Sequence, residues 1–156
     1  MNYRTISGDG HMDLFFMPPD AFTANVSAKW VDQVPHVIET DIGPRWQAGG
    51  TDRGPVGEWT IQDHSQEHRR KVEVFEQAGL FILTDGRYPP ANQELRIQHL
   101  QRDGVDAEVI YGLLDVPQPN DEPGLKMEIY RIYNDWIADF TRPKSNQLAG
   151  LACLPN

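Results

Sequence analysis

One cysteine, Cys153, stands in 156 residues, so no disulfide framework can form within the chain. Apolar runs are short throughout, and none approaches the roughly 20 residues that a membrane-spanning helix needs. No basic leader with an apolar stretch precedes the first strand signal. These absences read as a cytoplasmic protein with no membrane partner. Basic residues are scarce: 14 Lys and Arg stand against 23 Asp and Glu, for a net charge of −9. With no basic stripe, nucleic acid is excluded as a partner, and the acidity reads as a means of keeping the protein dispersed. There is no glycine-rich phosphate loop, no internal repeat and no low-complexity tract. Thr5, Ser7 and Cys153 have no recognisable base beside them, so nucleophilic catalysis has no support.

What is present suits one α/β domain, with 39% hydrophobic and 24% charged residues. Residues 3–8 read as a short strand. Residues 14–60 hold Pro18, Pro19, Pro35, Pro44 and Pro55, together with Gly43, Gly49, Gly50, Gly54 and Gly57. This is loop-rich territory, in which His36–Glu39 and Pro44–Gln47 can pair as a small hairpin. Residues 65–78 have helical character, with Val72, Phe75 and Ala78 on one face and Gly79 after the end. Asn92 caps a helix over 93–102 that turns Leu95 and Leu100 inward and stops at Asp103-Gly104. Val105–Tyr111 reads as a buried strand. The clearest helix runs over 122–141, where Leu125, Ile129, Ile132, Tyr133, Trp136, Ile137 and Phe140 recur at steps of three and four. Pro143 stops it, and 148–154 reads as a third short strand. The order is strand, long excursion, helix, strand, helix, strand. Short apolar strands alternating with helices argue for a parallel sheet covered on its faces.

The chemistry gathers at Asp9-Gly10-His11. Side chains alternate along an extended segment, so Asp9 and His11 point the same way from the end of the first strand. A carboxylate and an imidazole in that arrangement can begin a metal site, with Zn²⁺ the first choice and Mn²⁺ or Fe²⁺ also suited. The structural alternative is a plain hydrogen bond between the two. Arg45 and Trp46 are candidates for meeting the carboxylate and the aromatic ring of a substrate, with packing the alternative for Trp46. His64 and His68, spaced i and i+4, share a helix face amid charges and read as solvated. His36 reads as a hairpin residue, His99 as a helix-surface or partly buried one, and Cys153 as a small buried hydrophobe.

Four stretches give the chain a family resemblance. They are Ile6–His11; His36–Glu39 with Arg45–Gly50; Glu94–Arg96 with Asp103–Gly112; and Tyr133–Trp136 with Leu148–Pro155. In these it resembles the N-terminal part of the amidohydrolase-related proteins, the branch containing aminocarboxymuconate-semialdehyde decarboxylase and the orsellinate- and resorcylate-type decarboxylases. The resemblance implies a (β/α)₈ barrel, a fold of about 250 residues. The chain then corresponds to about three βα units plus a long insertion at about 14–91, within a single incomplete barrel domain over 1–156. It also implies a divalent metal held by Asp9 and His11, and a small carboxylate or amide substrate. Many relatives begin with His-x-His where this chain has Asp9-x-His11; a carboxylate in the first position also occurs among them. The other metal ligands and the acid/base histidine are expected on later strands, beyond these residues. The expected activity is metal-dependent hydrolysis or non-oxidative decarboxylation. The alternatives are a non-catalytic half-barrel that acts as a binding or assembly module, and a split enzyme completed by another chain. Either way a homo-oligomer, or a partner supplying the rest of the barrel, is expected.

Overall fold

In the computed structural model, residues 3–57, 73, 74, 76–79, 87–113, 116–118 and 121–154 are described. The helix expected over 65–78 falls mostly outside them, as do His64 and His68; within that span 73, 74, 76 and 77 are helical.

Two sheets organise the described chain. The first is parallel and consists of β1 (Ile6–Met12), β5 (Ala107–Gly112) and β6 (Leu148–Gly150), in the order β1-β5-β6. The second is antiparallel and lies between β1 and β5 in sequence. It consists of β2 (His36–Thr40), β3 (Gly43–Ala48) and β4 (Thr51–Pro55). Two α-helices lie wholly within the described residues, α1 (Gln93–Arg102), which precedes β5, and α2 (Pro123–Thr141), which joins β5 to β6.

The helices form where the sequence signals place them. Asn92 caps α1 by accepting the Leu95 N–H at 3.2 Å, and Gly104 ends it with a φ of +70° that side-chain-bearing residues rarely adopt. Glu122 caps α2 through the Gly124 N–H, Pro123 supplies a helix-compatible φ at its first turn, and Leu125, Ile129, Ile132, Tyr133, Ile137 and Phe140 are buried. Trp136 is half-buried and stacks on Phe140 with ring centroids 5.1 Å apart. On α1 the inward residues are Arg96, Ile97 and Leu100, and Leu95 is only half-buried. A charged residue takes an inward position there because it has a buried partner on β5, described below.

The strands differ from expectation at their ends. β1 runs to Met12 instead of stopping at residue 8, because His11 and Met12 stay in parallel register with Tyr111 and Gly112. β6 ends at Gly150, not 154. The expected 36–39/44–47 hairpin is present, with Val37 opposite Trp46, and it gains β4 as a third strand. The β3–β4 turn is Gly49-Gly50 with φ of +55° and +75°, the pair of positive values that a tight two-residue hairpin turn requires. Trp46 on β3 is fully buried, in one core cluster with Met12 of β1, Leu14, Phe22, Ile110 and Tyr133. The insertion sheet thus shares its core with the parallel sheet.

Asp106 ties the start of β1 to β5. Its carboxylate accepts the N–H groups of Arg4 at 2.7 Å and Thr5 at 2.9 Å, and these bonds hold it below the usual carboxylate range. A carboxyl depressed in the folded state stabilises above its unfolded value, about 4, and that stabilisation is lost as pH falls through the folded value. Asp106→Asn is therefore expected to flatten this part of the acid-unfolding profile, followed by circular dichroism from about pH 5 downward. An unchanged slope would count against the assignment.

Candidate functional site

The parallel sheet has a covered side and an open side. Gly10, Met12, Glu108, Ile110 and Leu148 are buried. The same side carries Gly112 and Gly150, where an added Cβ would meet Tyr133 and Ile137 of α2. The residues between them point the other way: Asp9 and His11 from β1, Val109 and Tyr111 from β5, and Ala149 from β6. Asp9 has 90% of its side chain exposed and His11 36%.

Asp9 and His11 are brought together on this open side as the alternation predicts. His11 Nε2 lies 3.2 Å from Asp9 Oδ1. Asp9 itself lies in a bulge: Ser7 pairs with Glu108 and Gly10 with Ile110, so β1 carries one residue more than β5 in this interval. Beyond Gly10 the ladder is regular, and alternation holds across the pair. The imidazole neighbours the Tyr111 ring, with centroids 6.4 Å apart and planes tilted by 60°.

A second carboxylate, Asp13, stands beside His11. Asp13 Oδ1 stands 3.8 Å from His11 Nδ1, the ring nitrogen that Asp9 does not meet, with only 14% of its side chain exposed. Burial pushes the Asp13 carboxyl up, against the pull of the nearby His11 and Arg96 charges. The sequence signal for Asp13 is its spacing: Asp9, His11 and Asp13 stand two apart.

Behind the sheet lies a buried ion pair that sequence reasoning also missed. Arg96 Nε donates to Glu108 Oε2 at 2.6 Å and Nη2 donates to Glu108 Oε1 at 3.0 Å. Nη1 donates to the backbone oxygens of His11 and Pro90, each at 3.0 Å. The available signal was Glu108 itself, a charge inside an otherwise apolar strand, which must find a partner when buried.

The other candidates lie elsewhere. Arg45 forks Asp52 across β3 and β4, with Nη2 2.7 Å from Oδ2, and this bond is the main reason the Asp52 carboxyl is held low. Trp46 is enclosed by the core, as its packing alternative expects. His36 lies on β2 and pairs its Nδ1 with Val34 O at 2.8 Å. His99 is half-buried on α1, where burial and then Arg102 lower its pKa. Cys153 is half-buried, its backbone bonded both ways to the Asn134 side chain.

The pair has a spacing that suits a metal. Two donors at about 2.0–2.1 Å from a tetrahedral ion stand about 3.3 Å apart. Asp9 Oδ1 and His11 Nε2, at 3.2 Å, match this and supply one carboxylate and one imidazole. Among the described residues no group of three His, Cys, Asp or Glu side chains is placed to hold an ion, so the pair is at most half of a ligand set.

Comparison with known proteins bears on the fold. A crystal structure of an amidohydrolase from Mycobacterium avium subsp. paratuberculosis K-10 superposes on 97% of this chain with a TM-score of 0.67, at 16% sequence identity. The chain has the fold of part of an amidohydrolase barrel. It spans 43% of the length of that protein. No family model and no curated protein matches the sequence. Among the described residues no helix is long and apolar enough to cross a membrane.

Proposed function

We propose that this chain carries the first-strand half of the metal site of a metal-dependent hydrolase or non-oxidative decarboxylase of the amidohydrolase-related type. The observation that carries this reading is the Asp9–His11 pair, 3.2 Å apart on the open side of a parallel sheet with that fold. Zn²⁺ suits the donors best, and Mn²⁺ or Fe²⁺ also fit one carboxylate and one imidazole. A bound divalent ion supplies Lewis-acid polarisation of a carbonyl or carboxylate, or a water of lowered pKa. Asp9 and His11 would hold it. Tyr111, 42% exposed beside His11, would line the same side toward a small carboxylate or amide substrate. The remaining ligands and the acid/base group would come from further strands meeting the open side, in this polypeptide or in a partner chain. With a single cysteine, the chain suits the reducing cytoplasm.

The test is a Zn²⁺ titration of the purified chain, read by NMR on the His11 ring protons, with metal content measured in parallel. Wild type is expected to shift or broaden those resonances saturably. Asp9→Ala is expected to weaken the effect by about tenfold or more, and His11→Ala to abolish metal uptake at this site. Both side chains are partly or fully exposed, so unfolding stability should change by less than about 0.5 kcal/mol. Zn²⁺ that leaves the His11 ring untouched rejects the metal reading.

A second reading rests on Tyr111 at 42% and Leu151 at 39% exposure on and beside the open side. Apolar surface there, and the edge positions of β1 and β6 among the described strands, suit an assembly module with no catalysis of its own. A dimer by native mass spectrometry that never takes up metal would favour it.

A further inference from the structure

The Arg96–Glu108 pair does more than join α1 to β5. Glu108 lies directly under Gly10: a Cβ added there would sit 2.2 Å from Glu108 Oε1 and 2.4 Å from its carboxyl carbon. The carboxylate therefore touches the backbone between the two site residues. The same guanidinium that fixes the carboxylate also donates to the backbone oxygen of His11 at 3.0 Å. Its remaining bond, to Pro90 O, ties the turn before α1 into the same group. Arg96 is 8% exposed and Glu108 8%.

Stability does not explain such an arrangement. A buried ion pair replaced by apolar residues of similar volume is often neutral or more stable, because two charges no longer lose their hydration. Apolar side chains cannot donate to the His11 oxygen, however, and cannot offer a planar two-oxygen surface to the backbone of Gly10. The imidazole leaves the same residue whose carbonyl Arg96 holds, so rotation of that peptide would swing the ring away from Asp9. Site geometry has to be kept within about 0.5 Å and 10–20° to function.

We infer that Arg96, through Glu108 and the His11 carbonyl, is a positioning residue that sets the Asp9–His11 pair from behind the sheet. The functional importance of this role rests on the metal reading above; the positioning itself does not.

The experiment uses the full chain without metal. The double variant Arg96→Met/Glu108→Leu removes both charges at similar volume. Urea unfolding establishes that it is folded, and contacts between the His11 and Tyr111 rings are read by NOE. Wild type is expected to show these contacts. The folded double variant is expected to lose or average them while its unfolding midpoint stays level or rises. Contacts of unchanged intensity in the folded variant, or their absence from wild type, overturn the inference. If the double variant does not fold, Arg96→Lys is read in the same way. Its single ammonium keeps the charge beside Glu108 but cannot reproduce the fork together with the bond to His11. Retained contacts in Arg96→Lys overturn the inference, and lost contacts support it. Zn²⁺ is then added to each protein. Positioning predicts at least about tenfold weaker binding in the variant. If wild type binds no Zn²⁺ at His11, the metal reading fails while the ring contacts still decide the positioning.

Discussion

Arg96→Ala is expected to destabilise the chain by about 3–5 kcal/mol, the largest single-residue effect outside the hydrophobic core. The truncation leaves the Glu108 carboxylate buried with no cation beside it, and a charge in that state cannot recover its hydration without opening the β1–β5–α1 junction. It also removes the donors to His11 O and Pro90 O, leaving two partly buried carbonyls to find water. The measurement is urea unfolding followed by tryptophan fluorescence, since Trp46 shares a core cluster with Met12 and Ile97. The companion Glu108→Gln should cost less, because a neutral amide can still accept one of the two Arg96 bonds. A loss below about 1 kcal/mol in Arg96→Ala would mean that water reaches Glu108, and that the pair is not the enclosed group its 9% side-chain exposure indicates.

The contrast between this pair and the Asp9–His11 pair explains which parts of the protein the sequence discloses. Strong periodicity is legible because one physical cause, burial of an apolar face, acts on many residues at once. The α2 pattern from Leu125 to Phe140 is of this kind, and so is the apolar run of β5. Period-two alternation also placed Asp9 and His11 on one side, and the fold class followed from the order of elements. Features that depend on a single long-range partner are harder to read. Arg96 looks like any charged helix residue until Glu108, twelve positions later, is seen to accept both of its bonds to side chains. Asp13 belongs to the alternating set but lies one residue past the strand, just before the chain turns at Leu14–Phe16. β4 was hidden because Thr51–Pro55 contains Gly54 and Pro55, poor strand formers that survive at the edge of a three-stranded sheet. Arg45 and Trp46 are adjacent in sequence and suggested a joint role. Adjacent residues of a strand face opposite ways, however, and here one meets Asp52 while the other enters the core.

Gly10→Ala is expected to cost about 3 kcal/mol, from one added methyl group. The cause is not conformational, since Gly10 does not have a positive φ and its backbone is open to an L-residue. It is the absence of space: three atoms of the Glu108 side chain lie 2.2–2.6 Å from the added Cβ. A flexible surface glutamate would swing aside at little cost. Glu108 is held by two bonds from Arg96, so the strain passes either into breaking that fork or into lifting β1 from β5. Lifting β1 displaces Asp9 and His11 together, and Gly10→Ala should therefore also weaken the NOE contacts between His11 and Tyr111. The decisive comparison is the same substitution in an Arg96→Met/Glu108→Ala background, where the obstructing side chain is gone. There the methyl group has room, and the lower chain entropy of alanine in the unfolded state should stabilise by about 0.4–1 kcal/mol. The effect of one methyl group would then change sign with its neighbour, a coupling of about 3.5–4 kcal/mol measurable in a double-mutant cycle. If Gly10→Ala costs the same in both backgrounds, the glycine between the two site residues answers to something other than Glu108.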